Sequence, residues 1–281
     1  MIVSDVEIPG GVKTKLVEYA SIYDVTEQID KRDPKYCVRS PDNGWAGGSQ
    51  KDFAIGTERG SMKYVGRASK MIDDFANVAI KDYAVTLDWN ERHGVLDYEA
   101  AMAGEVACMY GPTVEETDTA PIAVYLQNWY SSTLSAAEVE MRGIACLALV
   151  EALATYRPVH LKIVLAQQHR PSRTNIIQTV PVPTAPMDTA RASWMIAAPI
   201  VARNGLFNMI NQIAQNTQQC GLPLLSTNTG WQRDKMGDWL AARDNIHEVV
   251  HLPYMMDMDA NWSTQEQALA WVKRTMKQYM E

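Results

Sequence analysis

Residues 122 to 166 decide the fold. They read Ile122-Ala-Val-Tyr-Leu-Gln127, then Asn128-Trp-Tyr-Ser-Ser-Thr133, then a long helical pattern, then Val159-His-Leu-Lys-Ile-Val-Leu-Ala166. The two outer runs have the length and apolar content of buried strands. Between them Ser135 stands three residues before Glu138, the spacing of a capping box, ahead of a helix reaching about Tyr156. Its segment Gly143-Ile-Ala-Cys-Leu-Ala-Leu-Val150 is apolar nearly all round, so the helix should lie buried against a sheet. Pro158 ends it. A strand, a helix and a strand of these lengths imply a right-handed parallel crossover.

Further strands are expected at Asn175 to Val182, closed by Pro181 and Pro183, and at Glu248 to Leu252. Thr189 to Gln219 reads as two helices divided around Asn204-Gly205, with Pro199 kinking the first. The last helix is expected to be capped by Ser263 with Glu266, and to bury a stripe of Leu269, Val272, Met276 and Tyr279. The texture changes near residue 120, because the earlier part is broken by glycines and short polar stretches. The expected class is α/β: a mostly parallel sheet with flanking helices over 121–281, after an irregular α+β part over 1–120.

Composition narrows the function. The chain has 281 residues, 47% apolar and 21% charged, which is globular composition, and a formal charge of -7, which argues against coating duplex DNA by bulk electrostatics. Its longest apolar run, Gly143 to Ala154, is shorter than the roughly 20 residues a membrane span needs, and no basic, then apolar leader opens the sequence. A cytoplasmic protein with no membrane contact is expected. Cys37, Cys108, Cys146 and Cys220 are far apart, without a C-x-x-C pair, so reduced thiols are expected rather than a disulfide framework or zinc knuckle.

No linear signature of nucleophilic or phosphate chemistry occurs: no G-x-S-x-G, no P-loop and no G-x-G-x-x-G. The expectation is a protein that is not an enzyme and needs no cofactor. His247-Glu-Val-Val-His251 fits the zinc-hydrolase pattern H-E-x-x-H. That chemistry requires a helix, where residues i and i+4 share a face. The β-branched centre and the following Leu252-Pro253 indicate a strand, on which the two imidazoles would stand about 13 Å apart.

Gly44-Trp-Ala-Gly-Gly-Ser49 poses a sharper choice. Ser49 and Asp52 have capping-box spacing for a helix from Gln50 to near Gly60, and a glycine pair before a helix can present N–H groups to a phosphate. The alternative is a turn. Aromatic and basic residues also gather as Lys63, Tyr64, Arg67 and Lys70, as Trp129 and Tyr130, and as Arg170 and Arg173. Single strands are bound by such mixtures, with bases stacked on rings and cations along the backbone. Together with Trp45, these are the candidate nucleic-acid contacts.

Two resemblances add to this. The unit from Ile122 onward resembles the start of a von Willebrand A-type domain, whose D-x-S-x-S motif holds a metal. Here Asn128 replaces the aspartate and Tyr130 the first serine, and Ser132 alone agrees, so the resemblance implies the fold and a degenerate site without metal. A module of that kind would act through protein contacts. Trp45-Ala-Gly-Gly-Ser49 with Gly60, Gly94-Val-Leu-Asp97, Ala103-Gly-Glu-Val-Ala-Cys-Met109 and Arg142-Gly-Ile-Ala resemble a family of phage proteins of unassigned function. Over about residues 45 to 210 the chain also looks like the Drc family of phage single-stranded-DNA-binding RNA polymerase cofactors. That resemblance implies a homo-oligomer that binds single-stranded DNA with little sequence preference and recruits a phage RNA polymerase in the host cytoplasm.

Overall fold

The computed structural model describes residues 1–8, 12–30, 47–79, 87–90, 95–96, 98–104, 108–112, 120–130, 133–155, 157–169, 174–184, 188–206, 225–226, 235–255 and 260–280. They belong to two compact units, Met1–Met71 with Ala120–Glu281, and Ile72–Thr119. The junction at residue 120 coincides with the change of texture. Residues 1–71, however, join the sheet-bearing unit instead of forming part of a 1–120 block. The reason is a long-range strand pairing, of residues 14–18 with residues 175–179, that composition does not encode.

In chain order the larger unit contains β1 (Ile2–Ile8), β2 (Val12–Glu18), α1 (Ile22–Asp30), α2 (Gln50–Arg59) and the first half of α3 (Met62–Ala79). The smaller unit contains the rest of α3, β3 (Leu87–Asn90), β4 (Val95–Leu96), α4 (Tyr98–Met102) and β5 (Met109–Pro112). Its strands form an antiparallel sheet in the order β3-β5-β4. The larger unit resumes with β6 (Ile122–Gln127), α5 (Ala136–Ala154), β7 (Val159–His169), β8 (Thr174–Val182) and α6 (Thr189–Ala197). A π-helical segment Val201–Leu206, β9 (Leu225–Ser226), α7 (Met236–Asp244), β10 (Glu248–Leu252), a 3-10 turn Ala260–Trp262 and α8 (Gln265–Met280) complete it.

The main sheet runs β1-β2-β8-β7-β6-β10, with β9 paired to the far end of β7. The α/β class with flanking helices is the one expected. β6 lies between β7 and β10 and is parallel to both, its pairing with β7 being the one the 122–166 unit requires. β8 returns antiparallel to β7, β2 pairs parallel with β8, and β1 is an antiparallel edge strand. Every residue of β6 is buried, which a central strand covered on both faces demands. Pro181 pairs with Lys162 beyond the last β2 partner, Thr179, so its missing N–H breaks no β2–β8 hydrogen bond. At the other edge, the Tyr279 hydroxyl of α8 donates to the Val249 carbonyl, covering part of outer strand β10.

Side chains alternate between two packed faces. On one, Leu16, Ala123, Tyr125, Val164, Ala166 and Ile177 pack with Met236, Leu240 and Ala241 of α7. The other lies under the helices of the crossover layer. α5 has the expected capping box, with Ser135 Oγ accepting from the Glu138 N–H. Gly143 permits its close approach to α6: a Cβ there would stand 2.4 Å from the Ala197 Cα.

α8 corrects one detail. Its reciprocal cap is made by Thr264 and Gln267, at 3.2 Å and 3.1 Å, one residue beyond the expected Ser263 and Glu266. Both pairs have the same spacing, and the helix takes the register that buries Ala268, Val272 and Met276. Leu269 and Tyr279 of the expected stripe are half-buried. Cys146 and Cys108 are free thiols, and burial pushes the Cys146 thiol up to about 12. Cys37 and Cys220 lie outside the described residues.

Candidate functional site

The parallel strands end together near Gln127, Leu252 and the carboxyl half of β7. From β6 the chain crosses through α5 to β7 on one side, while β10 lies on the other, so the topological switch point falls at β6. Open α/β sheets bind ligands at such places. Here the chain ends are stitched together by polar side chains. Arg142 is 1% exposed and donates to the Gln127 carbonyl at 3.0 Å and to the Pro253 carbonyl at 2.5 Å. The Gln127 Oε1 accepts from the Tyr254 N–H at 2.8 Å. One guanidinium and one carboxamide therefore tie β6 to the segment after β10, across the gap between the last ladder pair, Leu126 with Leu252, and the Met255 N–H that donates to the Trp129 carbonyl at 3.2 Å.

Asn128 and Tyr130, at the positions of the metal motif, are turned to structural use. The Asn128 Nδ2 donates to the Met195 carbonyl of α6 at 3.2 Å. The Tyr130 ring is buried, with the Arg203 guanidinium 5.9 Å from its centroid, and Arg203 donates to the Leu134 carbonyl at 2.8 Å. Burial raises the Tyr130 hydroxyl pKa, against the opposing pull of Arg142 and Arg203. Among the described residues no group of three or more His, Cys, Asp or Glu side chains is placed to hold a metal. Ser132 lies outside those residues.

The α3 candidates form a different surface. Lys63, Arg67 and Lys70 recur at helical spacing and are exposed. Glu140 of α5 accepts from Lys63 at 2.9 Å and also from Arg67. Partial burial, then the charge of Arg67, lowers the Lys63 ammonium pKa below its ordinary value. Tyr64 departs from its expected role: it is 5% exposed, so its ring fills the core and offers no face to a base. Tyr130, at 9%, is corrected in the same way, and Trp129 beside it is half-buried. Trp45, Arg170 and Arg173 fall outside the described residues.

Gly47 and Gly48 make a corner. Gly47 has φ +76, and a Cβ there would meet Pro199 at 2.9 Å and Ala136 at 3.2 Å. The expected α2 follows, capped by Ser49 and ended at Gly60. The Asp52 carboxylate accepts from the Ser49 N–H at 2.8 Å and from its hydroxyl at 2.7 Å. It thus takes up two donors at this helix start and places a negative charge beside them.

His247-Glu-Val-Val-His251 enters strand β10, as its β-branched centre indicates. Glu248 is held bidentately by Arg157 at 2.7 Å and 2.9 Å, and the His251 ring packs against Gly237 of α7. The segment therefore lacks the helical geometry a zinc hydrolase needs. Sequence reading passed over Gln127, Arg142, Gln167, Gln178 and Arg203, all buried. Their signal is a polar residue inside or at the end of an apolar run, which is more informative than an exposed one.

These features define an α/β protein whose switch point is lined by buried, hydrogen-bonded polar side chains, with a basic helix face. The chain belongs to the DUF7192 family, a domain of unknown function, whose profile matches residues 5–279. Neither a curated protein nor a solved structure matches it. Among the described residues no helix is long and apolar enough to cross a membrane.

Proposed function

We propose that this protein binds single-stranded DNA without sequence preference along the exposed face of α3. In the setting implied by its resemblance to the Drc family, it self-associates and serves phage transcription by recruiting an RNA polymerase. The observation that supports the reading is the row of Lys63, Arg67 and Lys70, three exposed cations set against the single carboxylate of Glu140 to which two of them bond. Such a row follows a phosphate backbone. With Tyr64 buried, the contact at this face is electrostatic rather than a stack, so sequence preference is absent and affinity falls with salt along a shallow slope.

The test is fluorescence anisotropy of a labelled oligo-dT of about 30 nucleotides, with a duplex control, at about 50 and 200 mM salt. Three phosphate contacts on a single strand give a slope of about 2 in log affinity against log salt, or about a twentyfold loss over that range. Oligo-dT binding that collapses in a Lys63→Ala, Arg67→Ala, Lys70→Ala triple variant supports the reading. No binding at the lower salt refutes it.

A further inference from the structure

Three amide side chains lie near the carboxyl ends of β6 and β7 with no solvent exposure: Asn128, Gln167 and Gln178. Gln178 pairs with Leu165, and Gln167 is two residues further along β7, so the two are diagonal neighbours on one face, about 7–8 Å apart between Cα atoms. Asn128 continues β6 on the other side of β7, its N–H donating to the Val164 carbonyl at 2.8 Å. Two of the amides use their nitrogens: Asn128 on Met195, and Gln178 on the Tyr19 hydroxyl at 3.4 Å. The Asn128 Oδ1, the Gln178 Oε1 and both polar atoms of Gln167 have no hydrogen-bond partner.

Buried amides left this way are costly, and an interior normally pairs them or does without them. Apolar side chains serve at the neighbouring buried positions Ile163, Leu165 and Ile176. Residues that break the packing rule together, at the end of a sheet where ligands bind, are expected where function is exacted at the expense of stability. We infer that Asn128, Gln167 and Gln178 form a buried binding site for a small neutral molecule that presents a carbonyl acceptor beside an N–H donor. A carboxamide offers the complementary donor and acceptor and can engage such an edge with two hydrogen bonds. The ligand is neutral because the three side chains carry no charge to offset a buried ion. A nucleobase imide and a primary amide share this chemistry. The site is distinct from the α3 face, and its test involves no DNA.

The experiment is thermal unfolding of the full chain with uridine or with nicotinamide at millimolar concentrations, and with 3-methyluridine, which lacks the N–H donor. A ligand that binds the folded state raises the midpoint in proportion to the logarithm of its concentration. The expected result is a rise with uridine or with nicotinamide, the responding probe identifying the source, and none with 3-methyluridine. Gln167→Met keeps the side-chain length without its polar atoms. It is expected to unfold at a higher midpoint than the ligand-free wild type and to lose the probe response. If that variant does not fold, Gln178→Met reads the same response. No midpoint shift in the wild type with either probe overturns the inference and leaves the amides to internal water. An undiminished shift in Gln167→Met or Gln178→Met overturns it as well, since the probe then binds elsewhere.

Discussion

Arg142→Met should destabilise the protein more than any surface substitution. The guanidinium is buried and serves two carbonyls, those of Gln127 and Pro253. A hydrogen bond from a charged group contributes about 1.5–3 kcal/mol, and a buried acceptor that loses its donor costs about 1–3 kcal/mol. Methionine retains most of the apolar stem, so packing loss is small and the polar loss dominates. Two such bonds give an expected decrease of about 3–5 kcal/mol, a large fraction of the roughly 5–15 kcal/mol that holds a domain folded. Arg142→Lys keeps the charge but cannot span both carbonyls with a planar fork, and should lose about half as much. Urea unfolding followed by far-ultraviolet circular dichroism measures both, with a lowered midpoint at unchanged slope. An Arg142→Met protein within about 1 kcal/mol of wild type would refute the reasoning, because the two carbonyls would then have another donor or reach water.

Glu140→Gln should strengthen single-strand binding if α3 is the contact face, because Lys63 and Arg67 need no longer exchange a carboxylate for phosphate. Breaking exposed pairs costs up to about 1 kcal/mol, so anisotropy titrations should show about fivefold tighter binding at low salt, with the gain shrinking as salt rises. In α8, Thr264→Ala should cost about 1 kcal/mol in urea unfolding while Ser263→Ala changes stability by little, the reverse of what the spacing of Ser263 and Glu266 implies. The Arg157 guanidinium, bonded to Glu248, holds that carboxyl below the usual carboxylate range. Its contribution to stability is therefore complete above about pH 4.3, the unfolded value, and is lost as pH falls toward the lower folded value. In Glu248→Gln, stability measured between about pH 5 and 3 should fall less steeply than in wild type; an identical slope would show that the pair does not couple to folding.

How much of this was legible in advance depended on the range of the forces involved. The strands at 122–127, 159–166, 175–182 and 248–252, the caps Ser135 and Ser49, and the end of α2 at Gly60 are local consequences of hydrophobic period, capping chemistry and backbone freedom, and adjacent residues specify them. The strand reading of 247–251 belongs with these, since β-branching acts on its own backbone. The candidate contacts were less legible. Lys63 and Tyr64 are neighbours in the chain, yet one is exposed and the other fills the core, because which side of α3 is covered depends on what the fold brings against it and not on the adjacent sequence.

By itself, then, the sequence determined an α/β chain with a buried crossover helix, free of a spanning apolar segment and with no C-x-x-C pair. Only the tertiary structure decided that β2 pairs with β8 and draws the N-terminal strands into the sheet, since strand pairing over such distances depends on matching faces rather than on any local preference. It also decided that Gly47 is a corner against Pro199, that Arg142 bridges two strand ends 15 and 111 residues away, and that three amides lie near one end of the sheet with no solvent exposure. Hydrogen bonds and desolvation act between whatever groups the fold brings within about 3 Å, and order along the chain carries no record of that meeting.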